Sequence, residues 1–403
     1  MIEITSYLHR RELCDLIRRW MYYKPAASDP DQLVRMALFN HEYVSRYLDD
    51  FAGGLFHRLH GADLVTRTIT RKGELKDLIV INPPCQNART EALIRQYQEH
   101  PGRYYRETPF QAKLFLKNDH GRESYVGSTR IKRIRRLAEK SARVITDQIF
   151  RSIQHQAEVF ADERARRLGL SRVQLVTPPE VMIEEFLKAE NRLLEKLSGA
   201  GSGPLEDMPL LKINDVAGMK VIVEDNDYAA FLNTLAGLDH CEVVEEERHR
   251  GIYNATNLIV KFQPSPDRLL AEDLSDERML NILMKRGFSR SRASAVFRDF
   301  VLTGEHDVYL EIIVVNYQEN LESEIGRCIH EDRIIEQRQG KQYRGYLAKN
   351  IEYLMEYLFT FPTSGQIELG ELPIKLWNRY LPDYFDEVMK QLFHITSQIE
   401  STP

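Results

Sequence analysis

After about residue 170, short apolar runs rich in β-branched residues take turns with longer amphipathic segments, and this pattern predicts short strands separated by helices. Strand patterns and helical patterns follow each other in the order β-α-β-α-β-β-(αα)-β, which is typical of a mixed sheet with helices packed on it. The predicted strands are "RVQLVT", "KVIV", "CEVVEEE", "TNLIVKF" and "DVYLEIIVV". The predicted helices are "EVMIEEFLKAENRLLEKL", "YAAFLNTLAGL" and a helical pair at about 270–303.

The regions on either side of this core carry mostly helical spacing of apolar residues. Residues 33–59 follow a helical pattern, and residues 129–168 form a long, strongly basic one. The stretch from 88 to 119 has strand and loop character and is interpreted as a connecting region. We therefore predict an α/β fold with a mixed β-sheet core and helical N- and C-terminal regions, divided into 1–168, 169–335 with a helical insertion at 268–304, and 336–403.

Composition narrows the class of protein without identifying it. The chain has 403 residues, of which 43% are hydrophobic and 29% charged, and its formal net charge is −5. These values are typical of a soluble globular protein and give no overall attraction to nucleic acid. Four scattered cysteines without a C-x-x-C pair favour a reducing compartment. No apolar run approaches the ~20 residues that span a bilayer, so we expect a cytoplasmic protein without a membrane partner.

Candidate chemistry lies where three of the predicted strands begin or are interrupted. Asp215 precedes the strand in "DVAGMKVIV", Tyr253 and Asn257 flank the start of the next, and Glu311 interrupts the apolar "YLEIIVV". An unpaired carboxylate on a buried strand is costly, so a partner is expected. Two carboxylates on neighbouring strands suit Mg²⁺, which binds one or two carboxylates together with phosphate oxygens and water. Alternatively, Asp215 is a solvated acid in a turn, and Tyr253 is a core residue.

The order and spacing of these patterns resemble the synthetase domain of the RelA/SpoT family, over about residues 170–335. "DVAGMK" resembles the family's D-[IL]-x-G-[IV]-R turn, with Lys220 at the arginine position. "YNATN" resembles G-Y-x-S-[IL]-H, which places Tyr253 on the tyrosine and Asn257 on the histidine. "EIIVVN" resembles E-I-Q-I-R-T through Glu311. The family's downstream E-x5-H pattern is matched by Glu324 and His330.

The resemblance implies a nucleotidyltransferase-like fold and transfer of pyrophosphate from ATP to GDP or GTP, with Mg as cofactor. Asp215 and Glu311 would hold the metal and carry the catalysis, Tyr253 would stack on guanine, and Asn257 would contact the acceptor. The family's R-x-K-x-x-x-S-x-x-x-K motif aligns with "TPPEVMIEEFLK", where only Lys188 fits. We therefore expect the basic insertion, through Arg290 and Arg292, to supply the missing phosphate contacts.

Two functions of different classes remain open on these residues. One is an alarmone synthetase, a nucleotide pyrophosphokinase that binds purine nucleotides. The alternative is a catalytically degenerate member of the same fold that senses a nucleotide or binds a partner. The basic segment "TRIKRIRRLAEKSAR" is interpreted first as a solvated helix face, and it keeps RNA open as a further partner.

Overall fold

The fold is built on one large sheet that takes strands from both halves of the chain. The computed structural model describes residues 1–61, 64–84, 86–175, 179–198, 209–251, 254–326, 346–364, 366–370 and 376–377. The strands among these residues are β1 (Ile2–Ile4), β2 (Leu64–Arg71), β3 (Pro109–Asp119), β4 (Arg122–Ile131), β5 (Leu211–Ile213), β6 (Ala217–Ile222), β7 (Cys241–His249), β8 (Ala255–Phe262) and β9 (Val308–Val315).

Helices connect these strands and cover the sheet. Those in the first half are α1 (Arg10–Met21), α2 (Asp29–His60), α3 (Lys72–Ile81), α4 (Ala88–Glu99), α5 (Ile134–Arg167) and α6 (Pro179–Ser198). Those in the second half are α7 (Tyr228–Ala236), α8 (Pro266–Leu269), α9 (Glu277–Lys285), α10 (Arg290–Thr303), α11 (Tyr317–Leu321) and α12 (Tyr346–Thr360). A π-helical turn over Glu322–Gly326 follows α11 directly.

Within the described residues, seven strands form a mixed sheet in the order β2-β3-β4-β6-β9-β8-β7, and β1 pairs with β5 in a separate two-stranded sheet. The central pair, β6 and β9, is parallel, and every other neighbouring pair in the large sheet is antiparallel. The β3–β4 hairpin closes through His120 and Gly121, both with positive φ, as a two-residue turn between twisted strands requires. A mixed α/β fold with a mixed sheet is thus confirmed.

One face of the large sheet is apolar and packs on α2. Met219, Leu258 and Ile312 point to this face and are fully buried. Aromatic rings of α2 pack against rings from the sheet, with Phe51 and Phe262 centroids 5.0 Å apart. Because side chains alternate between faces along a strand, the residues between these apolar positions point to the opposite face.

That opposite face is covered at one end and half-exposed at the other. Over β2, β3 and β4 it packs on α3 and α4 through a second apolar cluster that includes Leu75, Leu93 and Leu114. Over β6, β8 and β9 its side chains are half-exposed, among them Lys220, Asn257 and Glu311. We call this second part the half-exposed face; it carries the polar residues described below.

The structure departs from the sequence prediction in several elements. The strand predicted at "RVQLVT" is wrong, because Arg172–Gln174 form a 3₁₀ turn in which the Val173 side chain is 96% exposed. The region from 88 to 119, interpreted as a connection, contains α4 and β3. The 168/169 boundary does not separate two sheets, since β4 before it pairs with β6 after it.

The helical insertion packs on the side of the sheet opposite to the half-exposed face. Phe297 and Phe300 of α10 each place their ring centroid 5.5 Å from that of Phe39 on α2, the helix that covers the apolar face. Arg290 and Arg292, which the sequence predicts to fold over the carboxylates, therefore belong to a helix that packs on α2, on the other side of the sheet.

Candidate functional site

An aspartate paired with two lysines lies where β4 and β6 meet. Asp215 lies two residues before β6, Lys132 directly follows β4, and Lys140 lies near the start of α5. Because Ile131 pairs with Ala217, the end of β4 lies beside the start of β6. The Nζ atoms of Lys132 and Lys140 donate to Oδ2 of Asp215 over 2.6 Å and 2.5 Å.

The charges around Asp215 are partly removed from water. The side chains of Asp215, Lys132 and Lys140 are 22%, 21% and 27% exposed. Burial acts to raise the pKa of Asp215, but the two lysines outweigh it, so this pKa lies below its ordinary value. Burial also lowers the pKa of Lys132. Oδ1 of Asp215 is buried and has no hydrogen-bond partner among the described residues.

Glu311 lies on the neighbouring strand with few polar partners. It is on β9, and Nδ2 of Asn257 on β8 approaches its Oε1 at 3.5 Å, the long limit of a hydrogen bond. Burial raises the pKa of Glu311, and the negative charge of Asp215 raises it further. Oδ1 of Asn257 is also buried without a partner among the described residues. The site therefore presents several oxygen atoms with unused acceptor capacity.

Gly218 lies between Arg130 and Glu311 in a row across the sheet, and it places no side chain between them. The register pairs Arg130 with Gly218 and Gly218 with Glu311, so the three lie side by side on β4, β6 and β9. Adjacent strands lie about 4.8 Å apart, which places the outer two residues roughly 10 Å from each other at their backbones. Without a side chain at Gly218, nothing on β6 separates them.

Arg130 enters this row without an ion pair. Its guanidinium lies over the ring of Phe110, with Cζ 4.9 Å from the ring centroid. Burial lowers the pKa of Arg130, and the nearby Arg133 lowers it further. No carboxylate in the described ranges lies within ion-pair distance of this arginine. A half-buried guanidinium in this state is suited to bind an anionic group.

A second polar cluster borders the half-exposed face. Glu324 in the π-helical turn is 4% exposed, and its two oxygens accept from Lys72 over 2.6 Å and from Lys220 over 3.0 Å. Lys220 also donates to Oδ1 of Asn320 over 3.1 Å. The cluster fixes the turn after α11 to β6 and α3, and thereby holds Lys220 beside the row of Arg130.

The structure brings together only some of the residues predicted from sequence. Asp215, Glu311 and Asn257 lie at one end of the half-exposed face, whereas Tyr253 lies outside the described residues, as does His330. Lys188 is exposed on α6, where it pairs with Glu184 at 3.7 Å, and α6 packs on α5.

Arg290 and Arg292 are not part of the site. Arg290 pairs with Glu277 of α9 at 2.5 Å, and Arg292 lies over the ring of Phe288 at 5.2 Å. Both belong to α10, which packs on α2 at the opposite face of the sheet.

Sequence reasoning missed the three cations that do lie at the site. Arg130, Lys132 and Lys140 were counted only as part of a basic helical segment. Two of them precede α5, at the end of a strand that was not predicted, so their relation to Asp215 depends on a long-range strand pairing. The available signal was the spacing of the three cations along the chain, R-x-K followed by a lysine eight residues later.

Comparison with known proteins identifies no relative: no protein-family model, no curated protein and no solved structure matches the chain.

Two further features of the described residues concern membranes and metal ions. None of the helices there combines the length and the apolar character needed to cross a membrane. Within the same residues, no group of three or more His, Cys, Asp and Glu side chains is arranged to hold a metal ion. A metal at Asp215 and Glu311 would therefore need further ligands from a bound molecule or from water.

Proposed function

We propose that the half-exposed face is the active site of a nucleotide pyrophosphokinase that resembles the RelA/SpoT synthetases. The observation that carries this proposal is the group of three cations beside the two carboxylates: Lys132 and Lys140 donate to Asp215, and Arg130 lies in the row of Glu311. These residues stand in "RIKRIRRLAEK", which fits the family's R-x-K-x-x-x-S-x-x-x-K motif at three of its four named positions. Arg136 replaces the serine. This fit replaces the alignment with "TPPEVMIEEFLK", and it supplies the cations of the motif that the earlier alignment lacked.

The cations suit a nucleoside triphosphate. A triphosphate brings several negative charges, and charge-assisted hydrogen bonds from lysine and arginine are among the strongest available to it. Lys132 and Lys140 are held beside the start of β6 by Asp215, and Arg130 lies in the row with Gly218 and Glu311. We therefore assign ATP to the side of the face formed by β4, β6 and α5.

The acidic residues fit a magnesium ion. Asp215 Oδ1, which has no partner in the described part of the chain, and the Glu311 carboxylate would hold it, and the ATP phosphates would complete its ligands. Asn257 Oδ1 offers a further oxygen. When bound, the metal would neutralise charge on the phosphates that react.

Glu311 is the group assigned to proton transfer. The acceptor hydroxyl, that of GDP or GTP in this proposal, attacks the β-phosphorus of ATP and forms a new P–O bond. The bond from that phosphorus to the α-phosphate oxygen breaks, AMP leaves, and the hydroxyl proton passes to Glu311. A raised pKa makes Glu311 a better proton acceptor at neutral pH than an ordinary glutamate.

One observation favours a second candidate, binding without transfer. Where the resemblance implies glutamine and arginine after Glu311, this chain has Ile313 and Val315. Ile313 pairs with Asn257 in the register and lies on the same half-exposed face, so the acceptor side offers little polar contact. A protein that senses a nucleotide would need only the cationic half of the site.

The test compares binding with product formation. The full chain is incubated with radiolabelled ATP, Mg²⁺ and GDP, GTP or RNA as acceptor, and products are separated by chromatography. Asp215→Asn and Glu311→Gln should each lower the transfer rate by about a hundredfold or more. Lys113→Met is the control, since Lys113 pairs with Asp49 on the opposite face of the sheet at 3.2 Å.

The outcomes separate the two functions. Transfer that depends on Asp215 and Glu311 supports the enzyme. ATP binding without transfer to any acceptor supports the sensor. No ATP binding at all overturns both.

A further inference from the structure

Both lysines at the site bind the same oxygen of Asp215. Lys132 and Lys140 donate to Oδ2, whereas Oδ1 is buried and has no hydrogen-bond partner among the described residues. The oxygen with unused acceptor capacity therefore belongs to a carboxylate that already has two ammonium groups as partners.

The side chains around Asp215 do not carry a net negative charge. Asp215 and Glu311 supply two negative charges, and Lys132, Lys140 and Arg130 supply three positive ones. These side chains are half-buried, so solvent ions screen their interactions less than on an open surface. A free divalent cation that approached Oδ1 would meet two ammonium groups bound to the same carboxylate.

We propose that Lys132 and Lys140 form an electrostatic lock, which keeps free divalent cations off Asp215 until the phosphates of a nucleotide draw the lysines away. This proposal rests on the proposed function, because it takes a nucleotide polyphosphate as the ligand that opens the lock. Metal and nucleotide then bind with positive coupling, and thermodynamic linkage requires each to raise the affinity for the other.

The lock predicts opposite effects of one substitution on two ligands. Removing a lysine removes a positive charge from Asp215, so a free divalent cation should bind more tightly. The same change removes a phosphate contact, so a nucleotide without metal should bind more weakly. A lysine with a merely structural role would weaken both affinities or change neither.

The experiment uses the full chain and Mn²⁺ as a spectroscopic probe. Free Mn²⁺ is titrated by electron paramagnetic resonance in the absence of nucleotide, and ATP binding is measured by calorimetry in the presence of a chelator. Lys132→Met and Lys140→Met should each raise the affinity for Mn²⁺ by a factor within the usual range of site coupling, about 5- to 150-fold. Each should also weaken metal-free ATP binding by about tenfold or more.

Two controls assign the effect to this site. Lys113→Met removes a lysine from an aspartate on the opposite face of the sheet and should change neither affinity. Asp215→Asn, added to Lys140→Met, should abolish the gained Mn²⁺ binding. Thermal melting by circular dichroism verifies that each variant folds. If the lysine variants do not fold, the wild-type chain still decides, because it should show no Mn²⁺ site that Asp215→Asn removes.

The possible failures are distinguishable. If wild type binds free Mn²⁺ at Asp215 as tightly as Lys140→Met does, the lock is wrong, while ATP binding with Mg²⁺ would leave the proposed function standing. If wild type binds no ATP with or without metal, the proposed function fails and the lock fails with it.

Discussion

Glu311 illustrates how a single residue can oppose stability at a site. It is placed on a strand whose alternate residues form the core, and its main polar contact in the described structure is the long one from Asn257. Burial and the charge of Asp215 raise its pKa, so its ionised form is disfavoured in the folded protein. An acid whose pKa is raised on folding contributes full stability below its ordinary pKa, and that contribution is lost as pH rises.

Glu311→Gln should therefore stabilise the protein at neutral pH. The variant lacks the ionisation that wild type undergoes as pH rises from the ordinary value of 4.5 through the raised pKa of Glu311. The free energy of unfolding, measured by urea denaturation across pH, should be higher in the variant at pH 7 and equal to that of wild type below 4.5. A variant that is less stable at pH 7 would show that ionised Glu311 has a favourable partner.

At the same scale, sequence identified the acids but not their partners. Asp215 and Glu311 stand out because a carboxylate beside buried strand positions needs an explanation. Arg130, Lys132 and Lys140 do not stand out, because cations are common on helix faces and their role depends on the pairing of β4 with β6. Their spacing fits a motif, but the spacing alone does not reveal a contact with a residue as distant in the chain as Asp215.

Among the elements, β4 shows how one small residue permits the packing of α2. Gly127 pairs with Val221 of β6 and faces the apolar side of the sheet. A Cβ at this position would overlap the ring of Phe56 on α2 and the backbone oxygen of Lys220. The glycine therefore allows α2 to approach the sheet, whereas at Gly218 a Cβ would meet its nearest atom at 3.7 Å.

Gly127→Ala should consequently destabilise the fold, and Gly218→Ala should not. Overpacking of this kind costs about 1–3 kcal/mol in the free energy of unfolding, as measured by urea denaturation. Gly218→Ala is a matched control in the adjacent strand, since it adds the same methyl group in ordinary van der Waals contact. Equal stabilities for the two variants would mean that α2 can shift without cost.

Element prediction succeeded for apolar segments that pair with a neighbouring strand. The segments that became β6, β8 and β9 are short runs rich in Val, Ile and Leu, and all three formed strands. "RVQLVT" has strand-like composition, but no neighbouring strand pairs with its described part. The start of α4 was missed because it depends on Asn87, whose side chain accepts from the backbone of Arg89 and Thr90.

On the scale of the whole molecule, the insertion of α8, α9 and α10 is a support for α2 rather than a cover for the site. Its apolar side chains extend the main core, and Arg46 of α2 donates to the carbonyl groups of Leu269 and Glu272. Charge alone suggested a phosphate contact, but the position of a charge in the sequence does not determine the face of the sheet to which it folds.

Replacing Arg290 and Arg292 together by alanine should therefore leave nucleotide affinity unchanged within about twofold. Both residues lie on the opposite side of the sheet from Asp215. The pair of Arg290 with Glu277 is exposed to solvent, which screens it, so any loss of stability should be small. Calorimetric titration with ATP and Mg²⁺ measures the affinity, and a loss of more than tenfold would return these residues to the site.

The position of β9 has a consequence for how the chain acquires its shape during synthesis. This strand lies between β6 and β8 in the sheet, yet it follows both in the chain. Until the ribosome has released Val308–Val315, the two earlier strands have no common neighbour, and the half containing β4 and β6 cannot join the half containing β7 and β8. The last of the described strands to emerge therefore completes their order in the sheet and also delivers one of the two carboxylates.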